Sequence, residues 1–355
     1  MKYKNVVFFG VLCSVLLIAS GCQNRKLWYL FLNNAVDIAP NHFEFEEDSK
    51  KLSIPIIASH SLDRVNHDTK YLILVIHGGG LNAENTFKTA LKTIMALKVP
   101  QSRFLVLAPQ LIEGVKIKEK GLLFWDQAWR GGGLSLAAGL NKDLPRVSSF
   151  DVVDRLMEHS LKMNPGIKRI LIMGHSAGGQ FVMRYAAINN RHEILEQQGV
   201  SVRYVVANPS SYLYLNATRY EFNSEGEIQK ITPKKLSDCP DYNKYKYGLE
   251  DLYGYADSIS PDMIQKSVLT RPIFFLLGVK DDERNWSLDK SCEGDVQGEN
   301  RYQRGLLYKY HLDQVAGSSS ANRHIWLEIP EVGHNSTEML THPKFIEKLL
   351  ALGFQ

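Results

Sequence analysis

The residues with chemistry to offer lie just beyond apolar runs. Gly174-His175-Ser176-Ala177-Gly178 follows the apolar stretch 169–173 and precedes a helical one, 180–189. A serine hydroxyl is a weak nucleophile until a neighbouring base takes its proton. A sharp strand-to-helix turn presents that oxygen, and glycines two before and two after it remove side chains that would strike the strand and helix. His77-Gly78-Gly79-Gly80 ends a second run, 71–76. An oxyanion needs two backbone N–H groups aimed at the developing charge. Ala177 offers one, at a helix start where the dipole favours an anion. Gly79, or failing that Gly80, offers the other.

The base and its orienting acid come from the two remaining strand ends. His334 follows the last apolar run, 324–330, across a short turn containing Gly333. The chain has 11 histidines, so the choice needs reasons. His77 and His175 belong to the two glycine motifs. His42, His60, His67 and His342 have no strand-end setting. His159 and His192 fall on helical stretches, His311 follows one, and His324 opens a strand rather than ending it. The acid must hold the imidazole and stabilise its charged form. Asp281 stands three residues after Gly278, at the end of 272–277, with Asp282 beside it. One of the pair points inward and the other outward; the spacing favours Asp281.

These sites need a scaffold that brings strand ends together. Strands are expected over 43–47, 52–59, 71–76, 104–108, 169–173, 202–207, 272–277 and 324–330. Helices are expected over 84–98, 150–163 (capped by Ser148 or Ser149), 180–189, 301–312 and 343–352. Alternating strands and helices predict an α/β fold, a mostly parallel sheet covered by helices on both faces. Reactive residues then collect at the carboxyl ends of the strands. Two segments break the rhythm. Residues 111–144 are glycine-rich, hold Trp125 and Trp129, and read as a long loop near the site. Residues 208–270 are tyrosine-rich and read as a partly helical insertion able to cover the site. The predicted domain spans 43–355 with the insertion at about 209–270. Its aromatics fit a core better than an acyl pocket.

With 355 residues, 44% hydrophobic and 23% charged, the composition is that of a globular protein. The formal net charge is +4, with Lys2 and Lys4 among the cations, which is too small a surplus to argue for nucleic acid. Residues 1–22 have the layout of a secretory signal: two lysines, an apolar run from Val6 to Ala19, then small residues. The run is shorter than the roughly 20 residues needed to cross a bilayer. Ala19-Ser20-Gly21-Cys22 resembles the lipobox of bacterial lipoproteins. That resemblance implies a lipidated Cys22 as the new first residue, a tether over 23–42 and a place in the cell envelope. Gln23 implies the outer membrane where there is one. Cys13 would then be removed, leaving Cys239 and Cys292. In an oxidising compartment one disulfide between them is expected, with two buried thiols as the alternative. No metal-ligand spacing is present, and no metal site is expected.

The order Ser176, Asp281, His334 and the glycine turn at 77–80 resemble the α/β-hydrolase superfamily, over roughly residues 52–355. The likeness is to exported esterase-like members with lipase and polyester-depolymerase relatives. The segments 297–301, Arg304-Gly305 and 208–212 are similar to features of one such subgroup. The resemblance implies a serine hydrolase that forms an acyl-enzyme, uses no cofactor and takes a small-molecule or lipid-like ester. A peptidase or amidase with the same triad, or an inactive binding protein on this scaffold, is the alternative. The fold hosts many activities and does not itself fix a substrate.

Overall fold

A computed structural model describes residues 38–114, 119–317 and 324–355. The export segment, Cys22 and the tether up to residue 37 lie outside the described residues. An eight-stranded sheet runs in the order β1-β2-β4-β3-β5-β6-β9-β10. Its parallel part comprises β3 (Tyr71–Ile76), β4 (Phe104–Pro109), β5 (Arg169–His175), β6 (Ser201–Ala207), β9 (Ile273–Gly278) and β10 (Ile325–Ile329). Every residue of β3, β4 and β9 is buried, which is why these strands read as unbroken apolar runs rather than alternating ones. β1 (Asn41–Glu47) and β2 (Lys50–Ala58) add an antiparallel edge. They join through Asp48 and Ser49, both at positive φ (47° and 59°), the backbone of a two-residue hairpin turn. The first strand thus starts at residue 41, inside the expected tether.

Helices cover both faces. On one, Ala90, Ile94 and Leu97 of the helix Ala83–Leu97 pack with Tyr71, Ile73 and Val75 and with Phe345 and Leu349 of the helix Pro343–Ala351. In the other layer the helix Ser149–Met163 meets the helix Ala177–Ile188 through Phe150, whose ring lies 4.6 Å from Phe181 and 5.3 Å from Tyr185. The Ser148 side chain accepts from Phe150 N–H at the start of the first of these.

The two arrhythmic segments carry structure of their own. Residues 111–144 contain the short turns of 3₁₀ helix Gln127–Gly131 and Gly139–Asn141, and Trp125 and Trp129 are wholly buried. A bare loop could not bury two indoles. The insertion carries a hairpin, β7 (Tyr220–Phe222) and β8 (Ile228–Lys230), and the helices Pro233–Ser237 and Pro261–Thr270. Half of its tyrosines are core and half are partly exposed: Tyr212 and Tyr214 are fully buried, and the Tyr212 ring stacks on Tyr308 at 4.6 Å, whereas Tyr242, Tyr247, Tyr253 and Tyr255 are half-buried. Arg219 pins the segment by donating to the carbonyls of Asn216 and Tyr242 at 2.7 and 2.8 Å. Cys239 and Cys292 form a disulfide with Cα atoms 5.7 Å apart.

This packing has two measurable consequences. The disulfide closes a loop with sequence separation 53. Loop-closure entropy then assigns it about 4 kcal/mol at most. Replacing both cysteines by serine should lower the urea midpoint by the equivalent of about 2–4 kcal/mol, and added reductant should have no further effect on that variant. The second consequence concerns acid. Burial pushes His77 and His192 down to about 4 and His311 to about 3. Their folded values lie below the unfolded one of about 6.5, so the unfolded chain binds more protons between them. Stability should therefore fall as pH drops from about 6.5 toward 4, by on the order of a few kcal/mol in total, measured as urea midpoint against pH.

Candidate active site

β5 ends in the turn that carries Ser176. This residue sits at φ 59°, ψ −120°, a strained conformation for a residue with a side chain. The turn is forced by close packing. A Cβ on Gly174 would lie 2.3 Å from the carbonyl carbon of Gly178, and one on Gly178 would lie 2.2 Å from Ile76 O. Ser176 N–H donates to Ala207 O at 2.9 Å, tying the turn to the end of β6. Ala177 opens the helix Ala177–Ile188, so its amide falls in the first turn, where no intrahelical acceptor exists.

β9 and β10 deliver the other two side chains. His334 Nε2 lies 3.0 Å from Ser176 Oγ, and His334 Nδ1 lies 2.6 Å from Asp281 Oδ2. Asp281 is 2% exposed, whereas Asp282 is exposed and turned to solvent. Asn208, at φ 43° just past β6, joins the two loops. It accepts from Gly278 N–H at 2.8 Å and donates to Gly333 O at 3.2 Å. Lys280 N–H donates to Val332 O at 3.0 Å. The acid loop and the histidine loop are thus bonded to each other as well as to the sheet.

His77 organises the glycine turn. Its Nε2 accepts from Leu111 N–H at 2.9 Å, so the ring proton sits on Nδ1, 2.9 Å from Gly78 O. Burial, then the charge of Arg130, holds this imidazole neutral, down to about 4. Its ring lies 5.0 Å from Trp129, whose indole N–H donates to Glu113 at 2.6 Å. Leu81 N–H closes the turn on Gly78 O at 3.1 Å. Gly79 and Gly80 form its exposed corner, with open space where a Cβ would stand. Gly78 is the glycine that packs on Ser176: its Cβ would lie 3.8 Å from Ser176 Cβ.

The sequence alone assigns no role to three further contributors. Asn208 and Arg301 lie in the stretches 208–212 and 297–301, which the family likeness marks without giving them a role. The His175 ring lies 4.4 Å from that of His334, tilted by 42°, and burial first, then His334 and Arg301, hold it well below its usual range. Arg301 is fully buried and reaches Asp281 Oδ1 at 3.4 Å. Its signal in the sequence was a cation opening a helix, where the dipole disfavours one. Among the described residues, Cys239, Cys292 and Glu293 could by position hold a metal, but the two sulfurs are bonded to each other.

No family model matches the chain, and no curated protein sequence does. Solved structures do. Poly(aspartic acid) hydrolase-1 from Sphingomonas sp. KT-1 superposes with a TM-score of 0.58 at 21% identity, covering 88% of this chain and 99% of that one. LpqC, a poly(3-hydroxybutyrate) depolymerase from Bordetella parapertussis, gives 0.54 at 16% identity, covering 84% and 86%. Together with the sheet order and the turn at Ser176, they identify the architecture: the chain has the α/β-hydrolase fold.

Proposed function

We propose that the protein is a serine hydrolase that cleaves carboxylic esters through an acyl-enzyme. The observation that carries this reading is one imidazole within hydrogen-bond reach of both a hydroxyl and a buried carboxylate. Asp281 Oδ2 accepts the proton on His334 Nδ1, which leaves Nε2 as the acceptor facing Ser176 Oγ. In this mechanism His334 takes the Ser176 proton as the oxygen attacks the ester carbonyl. The negative charge that develops on the carbonyl oxygen meets the amide of Ala177 and one from Gly79 or Gly80. His334 then returns the proton to the leaving alcohol, and a water repeats the sequence to free the acid and Ser176. The two structural neighbours are named for acting on polymers, one of them a polyester. Poly(aspartic acid) is joined by amide bonds, which keeps an amidase as the second reading. Paired ester and amide substrates of one acyl group separate the two.

We also propose that lipidated Cys22 anchors the domain to a membrane of the bacterial envelope. The support is the Ala19–Cys22 sequence behind an apolar run. Incorporation of a fatty-acid analogue should be lost in Cys22→Ala; persistence there would remove this part of the proposal.

Ser176→Ala should abolish fluorophosphonate labelling and lower ester turnover by roughly 10⁴–10⁶-fold. Turnover that survives the change sinks the hydrolase reading. Asp281→Asn should cost about 10⁴-fold in kcat. Asp282→Asn should change it by less than about twofold, because its side chain is exposed and takes no part in the relay. Equal losses in the two aspartate variants would contradict the assignment.

A further inference from the structure

Arg301 breaks two local rules at once. Its guanidinium is fully buried, and it occupies the first position of the 16-residue helix Arg301–Ala316. Burying a cation is costly unless it is paired. A cation in a helix's first turn also opposes the helix dipole. Departures of this kind concentrate where function requires them.

Its partners show what offsets the cost. Nη1 lies 3.4 Å from Asp281 Oδ1 and 3.4 Å from Asn285 Oδ1, and Nη2 donates to Ser287 Oγ at 2.9 Å. The next residue, Tyr302, donates its N–H to Asp281 O at 3.2 Å. The start of this helix therefore holds Asp281 by main chain and side chain together. The carboxylate is shared unequally. His334 has the short contact, 2.6 Å to Oδ2, and Arg301 the long one, 3.4 Å to Oδ1. A close two-pronged pair would have taken the carboxylate from the imidazole. A single long contact leaves Oδ2 to His334 while a full positive charge stands beside the relay.

We propose that Arg301 is a positioning residue for the hydrolysis assigned above: it fixes the Asp281 carboxylate in line with His334 and sets a positive charge beside that pair. The inference rests on the serine-hydrolase reading. An imidazolium at His334 draws its stability from Asp281, and Arg301 competes for that same charge. His175, the other ionisable ring against His334, stays neutral through burial and does not supply an opposing charge. Arg304, one turn along the helix, pairs with Asp295 and binds Ser210 O, and so is committed elsewhere. Asp282 is exposed to solvent.

The test is the pH profile of kcat/KM on a soluble ester for wild type, Arg301→Met and Arg301→Lys, with Ser176→Ala as the blank. In Arg301→Met the acid limb should move up by about one pH unit, a loss of about tenfold below the limb, with KM unchanged. Arg301→Lys should restore the limb, because it keeps the charge, but not the full kcat, because it lacks the fork. A purely structural Arg301 would lower stability and leave the limb in place; a folded Arg301→Met with an unmoved limb overturns the inference. If Arg301→Met does not fold, Asn285→Asp serves in its stead. It is close to isosteric and sets a second carboxylate on the same guanidinium, so the limb should again move up, and an unmoved limb overturns the inference. Turnover that survives Ser176→Ala overturns this inference and the hydrolase reading together. An unmoved limb in a Ser176-dependent enzyme overturns only the inference.

Discussion

One imidazole must meet a hydroxyl at 3.0 Å on one side and a carboxylate at 2.6 Å on the other. The three side chains come from the ends of β5, β9 and β10, far apart along the chain. Hydrogen bonds tolerate errors of a few tenths of an ångström, so three independent loops could not hold this geometry. The sheet is the common reference. Parallel pairing places Gly174 beside Val206 and Ile329 beside Gly278, so the strands stop at one edge and their loops emerge together.

The sheet alone is too coarse, and the local devices supply the remainder. Ser176 is held at positive φ because the glycines around it let the helix Ala177–Ile188 press against β3; side chains at Gly174 or Gly178 would collide with backbone. Strain of this kind costs on the order of 1–3 kcal/mol and persists only where surroundings over-determine it. Asn208 does the corresponding work for Asp281 and His334. With one side-chain amide it satisfies Gly278 N–H at the end of β9 and Gly333 O in the loop after β10, segments with no covalent reason to stay in register. The neutral state of His77 matters for the same reason. Only a ring with one acceptor and one donor nitrogen can take Leu111 N–H and face Gly78 O at once.

The elements legible in the sequence were those whose pattern is set locally. Buried parallel strands announce themselves as apolar runs, and β3 spans 71–76 as its composition says. Ser176, Asp281 and His334 were legible because strand-end position filters out most other serines, acids and histidines. The inward turn of Asp281 rather than Asp282 was left to a preference, since which of two adjacent residues faces the core depends on the loop that follows. What the pattern hid is long-range. Asn208 acts through residues 70 and 125 positions away. The tyrosines of the insertion look the same in sequence whether they cover a cleft or fill a core. Tyr212 and Tyr214 fill the core, because Tyr308, on a helix far along the chain, gives them a surface to pack on, while Tyr242, Tyr247, Tyr253 and Tyr255 stay half-buried.

The insertion departs from the end of β6 and is fastened to the segment that follows the acid loop. Gln297 accepts from Tyr212 N–H at 2.7 Å and donates to Tyr212 O at 3.0 Å, capping both backbone groups of one residue. Arg304 binds Ser210 O, and the disulfide ties Cys239 to Cys292. These three links join the insertion to the stretch around Arg301. The same stretch supplies Asn285 and Ser287 to the guanidinium beside Asp281. The insertion is therefore not an independent flap laid over a finished site. It braces the helix start against which the carboxylate is held, so its packing and the alignment of Asp281 depend on each other.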